Sequence, residues 1–302
     1  MITHMCVKVK RNFEEEIVMI RLCAFADEAD SKVDGQIAAL KRNGIGLIEL
    51  RGLDGTNVSA LTEEQAMDYA KRFEDAGIKV WSIGSPLGKA KISEDFEEYS
   101  KLVRHVCKLA NIFGADKIRM FSFFEAYESE DKVIDNLRRM VAIAAEYGVI
   151  LCHENEKEIF GDTLERVLKL AEAVPELRLI YDPANYLEVS ENPDITLEEL
   201  HARTEYFHIK DVISATGELV PAGYGDGRIG DIIARIDPNE DKVLTIEPHL
   251  AIFEGFSEID NTVMKNKFHF DNNNESFDAA VSALKGILAK LGYKETEGGF
   301  TK

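Results

Sequence analysis

Short apolar runs alternate with amphipathic stretches through most of the chain, and most of the apolar runs end in a cluster of polar residues. The runs at 17–25, 47–50, 78–83, 117–121, 149–152, 177–181, 206–207 and 242–246 have the length and composition of buried strands. Between them, apolar residues recur at helical spacing. Phe96, Tyr99, Leu102, Val103, Val106, Leu109 and Ala110 share one face of a predicted helix that Ser93 opens and Gly114 closes. Thr62-Glu-Glu-Gln65 has the spacing of a capping box and predicts a helix carrying Ala66, Tyr69, Phe73 and Ala76 up to Gly77. Further helices are expected at 31–43, 133–147, 164–173, 197–204, 229–236 and 276–291. Strand-then-helix units about 30 residues long imply parallel strands joined by right-handed crossovers. Eight such units can close into a (β/α)8 TIM barrel, an α/β fold with outer helices. A doubly wound open sheet is the rival, but it would place a glycine fingerprint after the first strand, where Phe25-Ala-Asp-Glu-Ala29 has no glycine.

The 302 residues fit one barrel domain at 17–293, between an N-terminal extension at 1–16 and a C-terminal tail at 294–302. Residues 261–274 carry no clear element signal and are expected to form a lid or an interface loop. No run approaches the roughly 20 apolar residues needed to span a bilayer, and the first residues lack a signal peptide's apolar segment, so the expected location is cytoplasmic. Cys6, Cys23, Cys107 and Cys152 form no CxxC pair, which argues against thiolate zinc or redox chemistry. Against 36 basic residues stand 55 acidic ones, and the formal charge of −19 repels phosphate backbones and anionic membranes. Neither a nucleic acid nor a membrane is an expected partner.

Candidate chemistry gathers where the strands end. The run 149–152 leads into His153-Glu-Asn-Glu156, 177–181 into Asp182-Pro-Ala-Asn185, 206–207 into His208-Ile-Lys-Asp211, and 242–246 into Glu247-Pro-His249. In a parallel barrel all four ends lie at one mouth, where such enzymes keep their active sites. Glu154, Asp182, His208 and Glu247 are then a set of three carboxylates and one imidazole, suited to a hard or borderline divalent ion.

The motifs Cys-His-Glu-Asn-Glu, Tyr-Asp-Pro-Ala-Asn, Phe-His-Ile-Lys-Asp and Ile-Glu-Pro-His, with Gly-Phe at Gly255, resemble those of the xylose-isomerase-like barrels, the superfamily of sugar-phosphate isomerases and epimerases. The likeness runs from about Ile17 to Leu291. It implies one divalent ion, manganese, magnesium or zinc, held by Glu154, Asp182, His208 and Glu247, with Glu154 and Glu247 as acid and base beside a metal-polarised carbonyl. Many relatives carry histidine where this chain has Glu156 and Asn185, which leaves the substrate open. A homodimer or homotetramer is compatible with the resemblance, with 261–274 as a candidate contact.

Further substrate-binding candidates are Glu156, Asn185, Lys210, Asp211 and His249 at the later strand ends, and Glu49 and Trp81, with Phe25, Arg51, Phe121 and Phe123, at the earlier ones. Gly225-Asp-Gly-Arg-Ile-Gly230 matches GxGxxG but does not directly follow a strand, so it reads as a tight loop opening a helix, with Arg228 and free N–H groups to receive a phosphate or carboxylate. The expected activity is isomerisation or epimerisation of a sugar, polyol or related hydroxy-carbonyl compound. The alternatives are a metal-dependent dehydratase or lyase on the same fold, or a sugar-binding barrel without turnover.

Overall fold

The computed structural model describes residues 19–251, 268 and 270–302. The predicted extension at 1–16, Gly255 and most of 261–274 lie outside the described residues. Parallel strands close into a barrel: β1 (Ile20–Ala24), β2 (Leu47–Leu50), β3 (Lys79–Gly84), β4 (Lys117–Met120), β5 (Ile150–Glu154), β6 (Arg178–Tyr181), β7 (Thr204–Ile209) and β8 (Lys242–Ile246). Each pairs with the next, and β8 returns to β1 from Ile20↔Lys242 to Ala24↔Ile246, which leaves no barrel edge unpaired. All residues of β2, β4 and β8 are buried, as expected of strands packed on both faces.

Local chemistry sets the helix ends. Thr62 and Gln65 form the reciprocal capping box, and Gly77 closes that helix (Glu63–Ala76) at φ 73°, a left-handed conformation that glycine adopts without strain. The helix Phe96–Phe113 is opened by Asp95, whose side chain accepts the N–H of Glu98, and not by Ser93. The helix expected at 197–204 lies at Pro193–Leu200, because Asn192 caps it, Pro193 presets its first turn, and Thr204 already begins β7. The expected tail is a hairpin, Lys294–Thr296 with Gly299–Thr301, whose Phe300 pairs antiparallel with Ile20. Among the described residues no helix is long and apolar enough to cross a membrane.

Inside the barrel a small apolar layer of Cys23, Leu47, Cys152, Ile180, Tyr206 and Val243 separates the lower lumen from the mouth. Side chains alternate along a strand, so residues two positions further on face the same lumen one layer higher. Glu49 follows Leu47 in this way, Glu154 follows Cys152, Asp182 follows Ile180, and His208 follows Tyr206. One step along four strands exchanges an apolar floor for ionisable groups.

Candidate active site

Glu154 ends β5, Asp182 and Glu247 directly follow β6 and β8, and His208 lies in β7. One ligand-type atom from each lies within 4.8 Å of the others, and all four side chains are buried. The Nδ1 of His208 stands 3.0 Å from Glu154 Oε1 and 3.1 Å from Glu247 Oε2, while its Nε2 stands 3.1 Å from Glu49 Oε2. Asp182 divides its oxygens. Oδ1 accepts the N–H groups of Ala184 and Asn185 at 2.8 and 3.1 Å, capping the short helix Pro183–Glu188, and Oδ2 is left for the cluster. Asn155 clips the ends of β5 and β6 together, accepting the Asp182 N–H and donating to the Asp182 carbonyl, both at 2.9 Å.

The donor set fits a divalent cation. Asp182 Oδ2 and Glu247 Oε2 are buried and make no hydrogen bond. Each nevertheless faces a basic nitrogen: Lys210 Nζ stands 3.0 Å from Asp182 Oδ2 and His208 Nδ1 3.1 Å from Glu247 Oε2. A buried carboxylate oxygen is costly unless it meets positive charge, and coordination to a cation lowers that cost further. Three carboxylates and an imidazole suit magnesium, manganese or zinc.

The local field agrees. Burial alone would raise the pKa of Glu154, but His208 and Arg119 pull it down to about 2 despite the nearby Glu247. Glu247 is likewise held well below the usual range, against burial, by Lys210 and His208. Burial raises Asp182 to about 7 against the pull of Lys210. Burial opposes charge on His208, yet Glu154 and Glu49 lift its pKa well above the ordinary value. The carboxylates therefore favour positive charge at their centre.

The opposite side of the mouth supplies fixed cations. Arg51 grips Asp27 with two N–H groups at 2.8 and 3.0 Å and sends others to Glu247 Oε1 at 3.0 Å and Glu28 Oε1 at 3.2 Å. Arg119 donates to Glu154 Oε2 at 3.2 Å and stands 3.7 Å from Glu247 Oε1. The Phe25 ring packs against both guanidiniums, 4.4 and 4.9 Å from its centroid, and meets the His208 ring edge-on at 5.3 Å. Gly84 makes room for it, since a Cβ there would lie 2.6 Å from Phe25 Cε1. Arg119, Asp27 and Glu28 were not among the sequence candidates. A usable signal existed for Arg119: a basic residue inside the apolar run 117–121.

Asn185, Lys210 and His249 do reach the cluster. Asn185 Nδ2 lies 3.4 Å from Glu154 Oε1, Lys210 Nζ 3.0 Å from Asp182 Oδ2, and His249 Nε2 3.5 Å from Glu247 Oε1. Glu156 is part-buried and pairs with Lys89 at 3.1 Å. The remaining candidates need correction. Glu49 sits behind His208, with one oxygen on its Nε2 and the other 2.8 Å from the Tyr206 hydroxyl, a position that orients the imidazole. Trp81 packs within the apolar layer, with Arg21 and Lys117 over its ring, because it lies one layer below the mouth. The glycine-rich loop does hold a carboxylate, but the carboxylate is Asp211. It accepts N–H groups from Val212, Gly223, Gly225 and Gly227 at 2.8 to 3.1 Å, so those donors are already occupied and Asp211 does not line the cluster. Arg228 points to the surface and pairs with Asp194 and Asp231.

A closed parallel barrel with a Glu–Asp–His–Glu cluster of metal-ligand type at its carboxyl mouth defines the class of the fold as a TIM barrel. Residues 37–261 match the family described as xylose isomerase-like TIM barrel, and the chain belongs to that family. A structure of L-ribulose 3-epimerase superimposes with a TM-score of 0.69 at 18% identity, covering 91% of this chain and 95% of that one. The probable 3-DHS dehydratase AsbF of Bacillus anthracis gives 0.67 at 19% identity over 89% and 99% of the two chains. The IOLI protein with a bound zinc atom gives 0.66 at 14% identity over 90% and 99%. No curated protein matches the sequence.

Proposed function

We propose that the protein is a metal-dependent isomerase or epimerase of a sugar, sugar phosphate or related hydroxy-carbonyl compound. The observation that carries this reading is the convergence of Glu154, Asp182, His208 and Glu247 within 4.8 Å, with Asp182 Oδ2 and Glu247 Oε2 buried and lacking hydrogen bonds. A divalent ion held by these residues, manganese, magnesium or zinc, would supply Lewis acidity toward a substrate carbonyl. Glu154 and Glu247 supply the proton chemistry. One carboxylate removes the proton beside the carbonyl, and its partner, which takes a proton from solvent, delivers that proton to the carbon from the other face, while the first returns its own proton to solvent. His208 helps keep both ionised before substrate arrives, joined by Arg119 at Glu154 and by Lys210 at Glu247. Lys210 and His249 offer donors to hydroxyl groups, while the Asn185 amide N–H groups go to the Asn155 carbonyl and Glu154 and hold that carboxylate in place. The names of two structural relatives, an L-ribulose 3-epimerase and a D-allulose 3-epimerase solved with D-allulose, support a ketose-like substrate.

The test is a panel of ketoses, aldoses and their phosphates incubated in deuterated water with the manganese-loaded protein. Incorporation of deuterium beside the carbonyl is expected, and Glu247→Gln should lower turnover by about 10²- to 10⁴-fold while the protein stays folded. A fully active, metal-replete Glu247→Gln would sink the assignment. A lyase reading uses the same base, with the buried Lys210 ammonium able to protonate a departing hydroxyl; a dehydrated product would identify it.

A further inference from the structure

Glu247 faces two ways. Its Oε2 lies 3.1 Å from His208 Nδ1, within the set just described, while its Oε1 lies 3.0 Å from Arg51 Nη1 and 3.5 Å from His249 Nε2. On that second side, Glu28 Oε1 stands 3.4 Å from His249 Nε2 and 3.2 Å from Arg51 Nη2. Glu28 Oε2 accepts the backbone N–H of His249 at 2.8 Å, and this fixes a residue held at φ 46°. Glu28, Glu247 and His249 are all buried, and one ligand-type atom of each lies within 4.8 Å of the others. Two carboxylates and an imidazole that share Glu247 with the first set form a second cation position beside it.

We infer that Arg51 is the resident cation of this second position, and that its guanidinium limits the mouth to one divalent ion. Arginine is charged at every accessible pH and cannot be displaced by deprotonation. The fork on Asp27 and the face of Phe25 at 4.4 Å anchor it, and it also donates to Glu28 and Glu247, two of the three would-be ligands. A second dication would have to sit against a fixed positive charge in a buried site, where like charges repel strongly. The first position differs in kind: there Asp182 Oδ2 and Glu247 Oε2 make no hydrogen bond, whereas here the guanidinium donates to Glu28 Oε1 and Glu247 Oε1. Removing the guanidinium would leave Asp27, Glu28 and Glu247 without the cation they now share.

This inference rests on the reading of the first set as a metal site, and the experiment separates the two. Protein stripped with a chelator is titrated with manganese or zinc, and bound ion is counted by equilibrium dialysis and elemental analysis. Wild type and Arg51→Lys should bind about one ion per chain at saturation. Arg51→Met, which keeps an unbranched apolar side chain and removes only the guanidinium, should bind about two, and adding Glu28→Gln should remove the second. The melting temperature of Arg51→Met should fall in chelator and recover only when ion exceeds one per chain. Two ions on wild type, or one on folded Arg51→Met, would overturn the inference and leave the first site standing. No ion on wild type would overturn both. Should Arg51→Met fail to fold in chelator, folding at about two ions per chain supports the inference, and failure at every ion concentration refutes it.

Discussion

Strands β5–β8 bring Glu154, Asp182, His208 and Glu247 to the mouth, whereas the opposite half brings Phe25, Arg51 and Arg119. The first group is rich in acceptors, two of which make no hydrogen bond. The second is rich in donors: Arg51 is gripped by Asp27, Glu28 and Glu247, Arg119 donates to Glu154 and to the Gly84 carbonyl while its Nε makes no hydrogen bond, and both guanidiniums pack on Phe25. The halves meet at Glu154 and Glu247, which are shared between the imidazole on one side and the guanidiniums on the other. A site of this kind comes prepared to accept positive charge at one place and already holds it at another. That separation lets two glutamates stay ionised inside a barrel without their fixed cations filling the ligand position.

The comparison breaks most severely if its bridge is removed. Arg119→Met leaves Glu154 and Glu247 facing each other with one fewer cation, and loss of one partner from a buried ion pair costs about 3–5 kcal/mol. Urea unfolding of the metal-free variant should show a loss of this order, with part of it recovered on adding manganese. Unchanged stability would mean that Arg119 does not couple the halves. Smaller and more local is Glu49→Gln, which weakens the support behind His208 and should reduce metal affinity by about 10- to 100-fold in a chelator competition. An unaltered affinity would return Glu49 to a purely structural role beneath the site.

Much of this arrangement was legible along the chain, for reasons that also mark where legibility ends. Period-two alternation puts Glu154 and His208 on the lumen face, and the end of each apolar run puts Asp182 and Glu247 at the mouth. The same alternation identifies a face without a height. Trp81 shares the lumen with the mouth residues but belongs one layer lower, among Cys23, Leu47 and Tyr206. Glu49 reaches His208 from the side away from Glu154 and Glu247, a distinction fixed only when β2 and β7 close across the barrel. Arg119 was concealed because a basic residue within a buried run looks like an interruption until carboxylates from β5 and β8 arrive beside it. The glycine-rich loop misled for a similar reason: its N–H groups do bind a carboxylate, but Asp211 supplies it from more than ten residues upstream.

The smallest effect sharpens the boundary of the site. Arg228→Ala should leave the melting temperature unchanged, and the KM values for phosphorylated and neutral substrates should keep their ratio, since Arg228 lies at the surface against Asp194 and Asp231. A selective rise in KM for the phosphorylated substrate would extend the site to that loop.

The most direct measurement is the metal content of the purified protein after loading with manganese, compared with Glu154→Ala and His208→Ala by elemental analysis. The account predicts about one divalent ion per wild-type chain and its loss from both folded variants. Wild-type protein that retains no ion, or variants that retain as much as wild type, would contradict it.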